Sequence, residues 1–578
     1  MKKIIYLATI FIGLLISGCT DFLNTRNLFE KNTENFYRTP TDVNEALRGV
    51  YSALYSDAEQ LVATVLEDLT LGGGGNDDAA IHSIAAFTYH PHNIYQELWN
   101  ETYRGVRRAN TLIEALQRIN YSEFFSSDAE TAAFVNNTLG ETYFLRGFFM
   151  FRAARFFGEM PLIISTETPL NVPRSSISAT FGQIAEDFNK AISLLPEVDV
   201  NLLNINTYGH TNKWIAKAYL ARTFLHYTGY MTNIEKTSTT ELTLPDGSKI
   251  NKAQIITHLE DIMSKSGHKL IDDFRNLWPY SYVNTSAGRD VLPWAANEGL
   301  SWAGQDGPRS NTTFGTGNPE VMFALRYAFG EWLYRQRYQN GAVLGFSIRG
   351  NNNLVPYGEG WGFAPVHPVF YSEWNDADKR KRGSVLNIHN PDEGIAGGYN
   401  PATNNGFHQT GLSIKKYINL QHETTREGAS GIRGMFFEMY RAGGGSQNFM
   451  LWNAQDFFYL RYADILLMHA ELTETVDGIN AVRQRTGLPS VPGYSLQALK
   501  DERKYEFAFE GIRWFDLVRW GDIENSANNY YSRIADVLNN NVPAQYSVTY
   551  RPETKGLVAI PESEIRLSNG VYRQNPGW

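Results

Sequence analysis

Three carboxylates spaced four residues apart form the most regular chemical pattern in this sequence: Glu502, Glu506 and Glu510. Helical spacing places such residues on one face, where paired carboxylates can act as general acid and base. The same spacing also suits carboxylates that pair with arginines to fix helix packing. The segment holds three arginines for that purpose: Arg503, Arg513 and Arg519. Because large apolar residues fill the rest of the segment, we predict that these carboxylates belong to the scaffold.

Other short patterns give no catalytic or metal centre. Ser413 and Lys416 match S-x-x-K, but the companion motifs of that chemistry are missing. His90 and His92 flank Pro91 and have no third ligand in view, so a loop is the better interpretation. The sequence contains no HExxH, Walker loop, GxSxG elbow or paired-cysteine zinc spacing. We therefore predict no enzyme and no cofactor, although a structural calcium ion in the loops stays open.

Aromatic residues among polar ones indicate a different chemistry, the recognition of sugars. A sugar ring stacks its C–H face on an aromatic side chain, while amide, carboxylate or guanidinium groups bind its hydroxyls. Two segments supply such groups, the loop from Gly72 to His92 and the insertion from Trp278 to Asn318. The predicted ligand contacts are Asn76, Asp77, Asp78, Trp278, Tyr280, Tyr282, Trp294 and Trp302, with Trp332 in a second cluster.

The surroundings of each tryptophan suggest how exposed it is. Trp278 follows an apolar turn, which favours burial in the core. Trp294 and Trp302 stand in polar surroundings, which favours exposure. Trp361, between two glycines, can be assigned to neither class. A surface glycoside hydrolase or lyase remains an alternative, because 61 acidic residues leave room for a catalytic pair that no motif identifies.

The elements that must position these loops are mainly helices. Apolar residues recur at helical spacing near 43–54, 99–116, 141–157, 181–195, 213–228, 252–265, 457–474, 476–486 and 495–510. Successive helices of this kind predict hairpins stacked side by side, although no strict 34-residue period appears. We predict one mainly α domain over residues 19–578, with a helical scaffold at about 40–268 and 455–525. A loop-rich insertion with short strands, such as 321–325, occupies about 270–450.

The N-terminal segment predicts export and anchoring. Lys2 and Lys3 precede an apolar stretch, and the only cysteine, Cys19, follows small residues. This pattern is typical of a lipoprotein signal peptide over residues 1–18, with Cys19 as the acylated residue. The net charge of −9 argues against nucleic acid as a partner.

The sequence also resembles a known family. The strongest segments are FFYLRYADILLMHAEL (457–472), INAVRQRTGLP (479–489) and LKDERKYEFAFEGIRWFDLVRWGD (499–522). Four others agree in order: LWNETYRGVRRANTLIEAL (98–116), ETYFLRGFFMFRAARFFGEMPLI (141–163), NPEVMFALRY (318–327) and GLVAIPESEIRLSNGVYRQNPGW (556–578). Together they resemble the SusD/RagB family of outer-membrane, glycan-binding lipoproteins of Bacteroidetes.

This resemblance implies a fold, a function and a partner. The fold is a tetratricopeptide-like α/α superhelix that supports a loop-rich binding region. The function is capture of an oligo- or polysaccharide at the cell surface, and the partner is a SusC-like TonB-dependent transporter in the outer membrane. Since the family is not confined to sugars, cargo such as peptide remains an alternative. The resemblance implies a region for the ligand and not a residue pattern.

Overall fold

The protein is a helical scaffold with short two-stranded sheets. The computed structural model describes residues 36–56, 58–90, 93–169, 171–203, 209–281, 283–284, 289–290, 293–303, 318–325, 345–346, 348–349, 356–395, 406–418, 420–424, 431–434 and 455–578. The signal peptide and Cys19 lie outside these ranges, as do Tyr282 and Trp332. In the described part of the chain, no helix is long and apolar enough to cross a membrane.

The helices follow the predicted order. They are α1 Pro40–Tyr51, α2 Ala58–Leu66, α3 Ala79–Ala85, α4 Ile94–Arg118, α5 Asp128–Phe157, α6 Ile177–Leu194, α7 Lys213–Asn233, α8 Lys252–Lys265, α9 Pro293–Asn297, α10 Pro368–Glu373, α11 Lys379–Ser384, α12 Tyr462–Thr473, α13 Asp477–Gln484, α14 Leu496–Glu506, α15 Arg513–Trp520 and α16 Glu562–Leu567. Helix α5 begins 13 residues before its predicted start, because Ser127 caps a polar and largely exposed first half. The prediction missed α2 and α15 as well as the short helices α3, α9, α10, α11 and α16. Helix α3 lies within the segment 72–92 that was predicted as a loop, so the glycine-rich first part of that segment is a loop but residues 79–85 are helical.

Eight two-stranded sheets, seven antiparallel and one parallel, complete the described structure. They are β1 Met160–Pro161 with β2 Arg174–Ser175, β3 Glu241–Thr243 with β4 Lys249–Asn251, β5 Val283–Asn284 with β6 Arg289–Asp290, β7 Val321–Leu325 with β14 Phe457–Arg461, β8 Ile348–Arg349 with β9 Glu359–Gly360, β10 Val385–Asn387 with β11 Leu412–Ile414, β12 Gln421–Thr424 with β13 Gly431–Gly434, and β15 Ala535–Asn539 with β16 Val542–Tyr546. Only the β8–β9 pair is parallel.

Consecutive helices pack on each other from α4 to α8, which confirms the predicted mainly α array. Helix α12 packs on α8, and α15 packs on α7, so the C-terminal helices return to the N-terminal ones as predicted. Strand β7 was also predicted. Its partner β14 is not predicted, because the apolar pattern of residues 457–474 indicates a helix over the whole segment. Hydrogen bonding to β7 holds these five residues extended, and helix α12 begins only at Tyr462.

A buried network of charges joins the insertion to the C-terminal helices. Arg461, at the end of β14, contacts Glu320 at 2.6 Å, Glu506 at 2.8 Å and Glu510 at 2.8 Å. Burial alone would raise the pKa of Glu506, but Arg485, Arg461 and Arg380 hold it at about 2. The network therefore keeps this carboxylate ionised in the interior.

The structure confirms that the three evenly spaced glutamates are scaffold residues, but it corrects their geometry and partners. Helix α14 ends at Glu506, so Glu510 lies beyond it. The predicted arginine partners pair with other acids: Arg503 and Arg519 with Asp516, and Arg513 with Asp68. Lys416 of the S-x-x-K match is buried against Glu510 at 2.7 Å, which makes it part of the same network.

Candidate functional site

The predicted aromatic platforms are largely buried. Trp278 is 0% exposed and packs against Tyr417 and Phe458, and Tyr280 is equally enclosed. Trp294 and Trp302 were expected to be exposed, but only 6% and 8% of their surfaces are accessible. In this structure these four residues stabilise the insertion, and none of them offers a ring face to a ligand.

The burial of Trp294 has a specific cause. The guanidinium carbon of Arg382 lies 4.0 Å from its ring centroid, and Nζ of Lys415 lies 4.4 Å from the same centroid. Lys415 is itself held by Glu393, whose two carboxylate oxygens accept hydrogen bonds at 2.8 and 2.7 Å. The cations therefore occupy the ring surface that a sugar would need.

The glycine loop before Asp77 is tied to the insertion by backbone hydrogen bonds. Gly74 donates to the carbonyl of Gly362 at 2.9 Å and accepts from Phe407 at 2.8 Å. Ala364 donates to the carbonyl of Gly72 at 2.9 Å. The loop thus lies between two segments of the insertion, and it can approach them closely because its residues lack side chains.

Beyond this loop, the predicted polar residues meet an arginine that the sequence did not suggest. Asn76 and Asp77 are exposed, and Asp78 is partly buried and accepts a hydrogen bond from Gly75 at 2.6 Å. Arg349 approaches Asp78 at 3.6 Å and Asp77 at 4.0 Å. Two of the predicted ligand contacts, Asp77 and Asp78, are therefore brought together with one guanidinium group, and Asn76 directly precedes them in the chain.

An exposed tryptophan adjoins this polar group. Strand β8 pairs with β9 so that Arg349 lies opposite Gly360, the residue before Trp361. Trp361 is 39% exposed, and its ring centroid lies 5.7 Å from that of Phe363. Gln409 donates through Nε2 to the carbonyl of Gly362 at 3.3 Å. We name the area formed by Asn76, Asp77, Asp78, Arg349, Trp361 and Gln409 the Trp361 surface.

The Trp361 surface combines an accessible aromatic side chain with carboxylate, amide and guanidinium groups. These are the groups that sugar recognition needs. Within the described ranges, no three His, Cys, Asp or Glu side chains are grouped to hold a metal ion. Sequence reasoning could not have found Arg349 or Gln409, because only the strand pairing and loop contacts bring them to residues far away in the chain.

Two histidines form hydrogen bonds to Gly73 at the base of the glycine loop. Nε2 of His82 donates to the carbonyl of Gly73 at 2.8 Å, and Nδ1 of His408 accepts from the Gly73 amide at 3.4 Å. The His82 and His408 rings lie 5.1 Å apart. Burial, and to a smaller extent the neighbouring His82, lower the pKa of His408 to about 4. His408 is therefore neutral at pH 7 and has a free lone pair for the Gly73 amide.

We expect acid to destabilise the protein through His408. Its pKa is about 4 in the folded protein and about 6.5 in an unfolded chain. As the pH falls from 6.5 to 4, the unfolded chain therefore binds the proton first, and the free energy of unfolding falls by up to about 3 kcal/mol. Urea unfolding of the unmodified chain and of His408→Gln at pH 7 and pH 4.5 measures this loss.

The His408→Gln variant isolates this effect from other titrations. Buried His367, whose pKa burial lowers to about 4, titrates in both proteins and cancels in the difference. The unmodified chain should lose more stability than the variant between the two pH values. An equal loss in both proteins would show that His408 does not contribute.

Comparison with known proteins identifies the family. A family model described as the SusD family matches residues 266–578. A second, described as starch-binding and associating with the outer membrane, matches residues 21–225. A SusD-like protein P2 from Formosa agariphila is 24% identical over 552 residues, which cover 90% of this chain and 91% of that protein.

Solved structures agree with the observed architecture. A laminarin-binding SusD-like protein superimposes with a TM-score of 0.67 at 22% identity, over 94% of this chain and 100% of the other. Surface glycan-binding protein A from Bacteroides thetaiotaomicron, in complex with laminarihexaose, gives a TM-score of 0.65 at 19% identity, over 93% and 99%. The predicted SusD-like, tetratricopeptide-like fold is thereby confirmed. Since the first family model alone covers more than half of the sequence, this chain belongs to the SusD family.

Proposed function

We propose that this protein captures an oligo- or polysaccharide at the cell surface and passes it, chemically unchanged, to a SusC-like TonB-dependent transporter. The observation that carries the proposal is the exposed Trp361, which follows the residue paired with Arg349, while Arg349 itself approaches Asp77 and Asp78. An aromatic ring next to charged and amide groups provides both the stacking face and the hydrogen bonds that a sugar requires.

The relatives support the same class of ligand. Two structurally similar proteins are described as binding laminarin or laminarihexaose. The description of one matching family places its members at the outer membrane, which agrees with anchoring through an acylated Cys19. We therefore propose the Trp361 surface as the ligand site, with Asn76, Asp77 and Asp78 kept from the sequence prediction. Tyr282 and Trp332 stay predictions.

Binding of laminarin by the chain from Thr20 to Trp578, which contains every described residue, tests the proposal. We expect laminarin to retard this protein in affinity electrophoresis without release of products. Trp361→Ala should weaken laminarihexaose binding by about tenfold or more in calorimetry, because the ring loses its stacking contact while the fold stays intact. Starch, an acidic polysaccharide and a peptide mixture extend the test to other cargo.

Phe124→Ala is the matched control for this variant. Phe124 is exposed to a similar extent, 42%, and lies in the turn between α4 and α5. Its replacement should leave laminarihexaose affinity unchanged. Equal weakening by both replacements would argue against the Trp361 surface, and the appearance of shorter sugars from laminarin would indicate an enzyme.

A further inference from the structure

A hairpin next to the Trp361 surface forms one wall of an open groove. Strands β15 and β16 pair antiparallel, with Asp536 opposite Gln545. The hairpin is attached through Leu538, which exchanges backbone hydrogen bonds of 2.8 and 2.9 Å with Gln409. Its turn is attached as well, because the amide of Asn540 donates to the carbonyl of Gly406 at 2.9 Å. These bonds fix the hairpin rigidly against the insertion.

The groove has the size and chemistry of a binding site. Its volume is about 570 Å³, which falls within the range of about 300–1,000 Å³ that is usual for small-molecule sites. Its apolar lining includes Leu538, Pro543 and Ala544, and exposed Asp536 and Gln545 stand on the hairpin side. The Gln545 amide donates to Asp536 at 3.3 Å, so the carboxylate is held in place and keeps lone pairs for hydroxyl groups.

Gln409 connects this groove to the Trp361 surface. It lines the groove, and its side chain donates to the carbonyls of Gly362 at 3.3 Å and Phe407 at 2.9 Å. When one sugar unit is stacked on Trp361, the next unit of the saccharide would therefore lie along Gln409. A mixture of aliphatic lining and fixed polar groups suits the alternating C–H and hydroxyl surfaces of a saccharide chain.

We infer that the hairpin groove is a second subsite, which binds the sugar units that follow the unit on Trp361. This inference rests on the function proposed above and makes it more specific. The protein recognises a run of several sugar units and binds a chain such as a hexasaccharide better than a disaccharide. The residues that hold the added units are Asp536 and Gln545, because their side chains are accessible and already positioned by the β15–β16 pairing.

Calorimetry with laminarihexaose and laminaribiose tests this inference. The unmodified chain should bind the hexasaccharide at least tenfold more tightly. Replacing both Asp536→Ala and Gln545→Ala should reduce hexasaccharide affinity about tenfold and leave disaccharide affinity unchanged, because only the longer ligand reaches the groove. Pro543→Trp, which fills the groove from the exposed position paired with Leu538 and removes no polar group, should have the same selective effect. Asn541→Ala, at the exposed hairpin turn, is the control and should change neither affinity.

The outcomes separate this inference from the proposed function. Equal affinity for the two sugars, or equal weakening of both by the double replacement, would overturn the second subsite while leaving sugar capture intact. Failure of the unmodified chain to bind either sugar or laminarin would overturn both. Thermal unfolding of each variant confirms that affinity changes do not come from loss of the fold, since Asp536 and Gln545 are exposed.

Discussion

Replacing Arg461 with methionine is expected to lower the free energy of unfolding by about 3–5 kcal/mol. Its side chain is 1% exposed and contacts Glu320, Glu506 and Glu510, which are equally buried. Methionine fills much of the same space but leaves these carboxylates with less positive charge around them. An uncompensated buried charge costs more than the salt bridge contributes, so the loss is large. Guanidinium chloride unfolding at pH 7 measures it.

Arg104→Met provides the matched control. The Arg104 side chain is 51% exposed and pairs with Glu101 one helical turn away at 2.6 Å. Exposed pairs of this kind contribute about 0.5 kcal/mol or less, so the control should unfold almost as the unmodified chain does. Similar losses for both variants would show that the buried network is not what stabilises the junction between the insertion and the C-terminal helices.

The second large effect is expected at the base of the binding loop, where Gly73→Ala should abolish or severely weaken sugar binding. Gly73 has a φ of +73°, which disfavours any side chain. An added Cβ would also overlap the carbonyl oxygen of Gly362 and the ring of Pro365. To relieve the overlap, the loop must move away from the insertion and carry Asp77 and Asp78 away from Arg349. We expect laminarihexaose affinity to fall more than tenfold in calorimetry.

Gly247→Ala separates the backbone strain from the overlap. Gly247 has a comparable φ of +86°, but an added Cβ would meet nothing within 4 Å. In both variants the left-handed conformation should lower the free energy of unfolding by about 1–2 kcal/mol. Only Gly73→Ala should also lose affinity for laminarihexaose. Unchanged affinity in Gly73→Ala would mean that the loop does not position the ligand contacts.

The helices that the sequence predicted well are those set by local patterns. Residues 252–265 form α8 as predicted, because Asn251 and Gln254 cap its start reciprocally and one face is apolar. The first five residues of 457–474 form a strand instead, since Val321–Leu325 offers a long-range partner that local periodicity cannot reveal. The charge network shows the same limit: the glutamates of 502–510 were assigned to the scaffold, but their partners came from distant segments.

The ligand site, too, could be predicted from the sequence only in part. The sequence alone determined the family, the helical scaffold and the loop that carries Asn76, Asp77 and Asp78, because each of these depends on neighbouring residues or on ordered motifs. Only the tertiary structure decided which tryptophan is accessible. Arg382 and Lys415 cover Trp294, whereas the β8–β9 pairing places exposed Trp361 beside Arg349. Exposure depends on what distant segments pack over a ring, and that information is absent from the residues next to it.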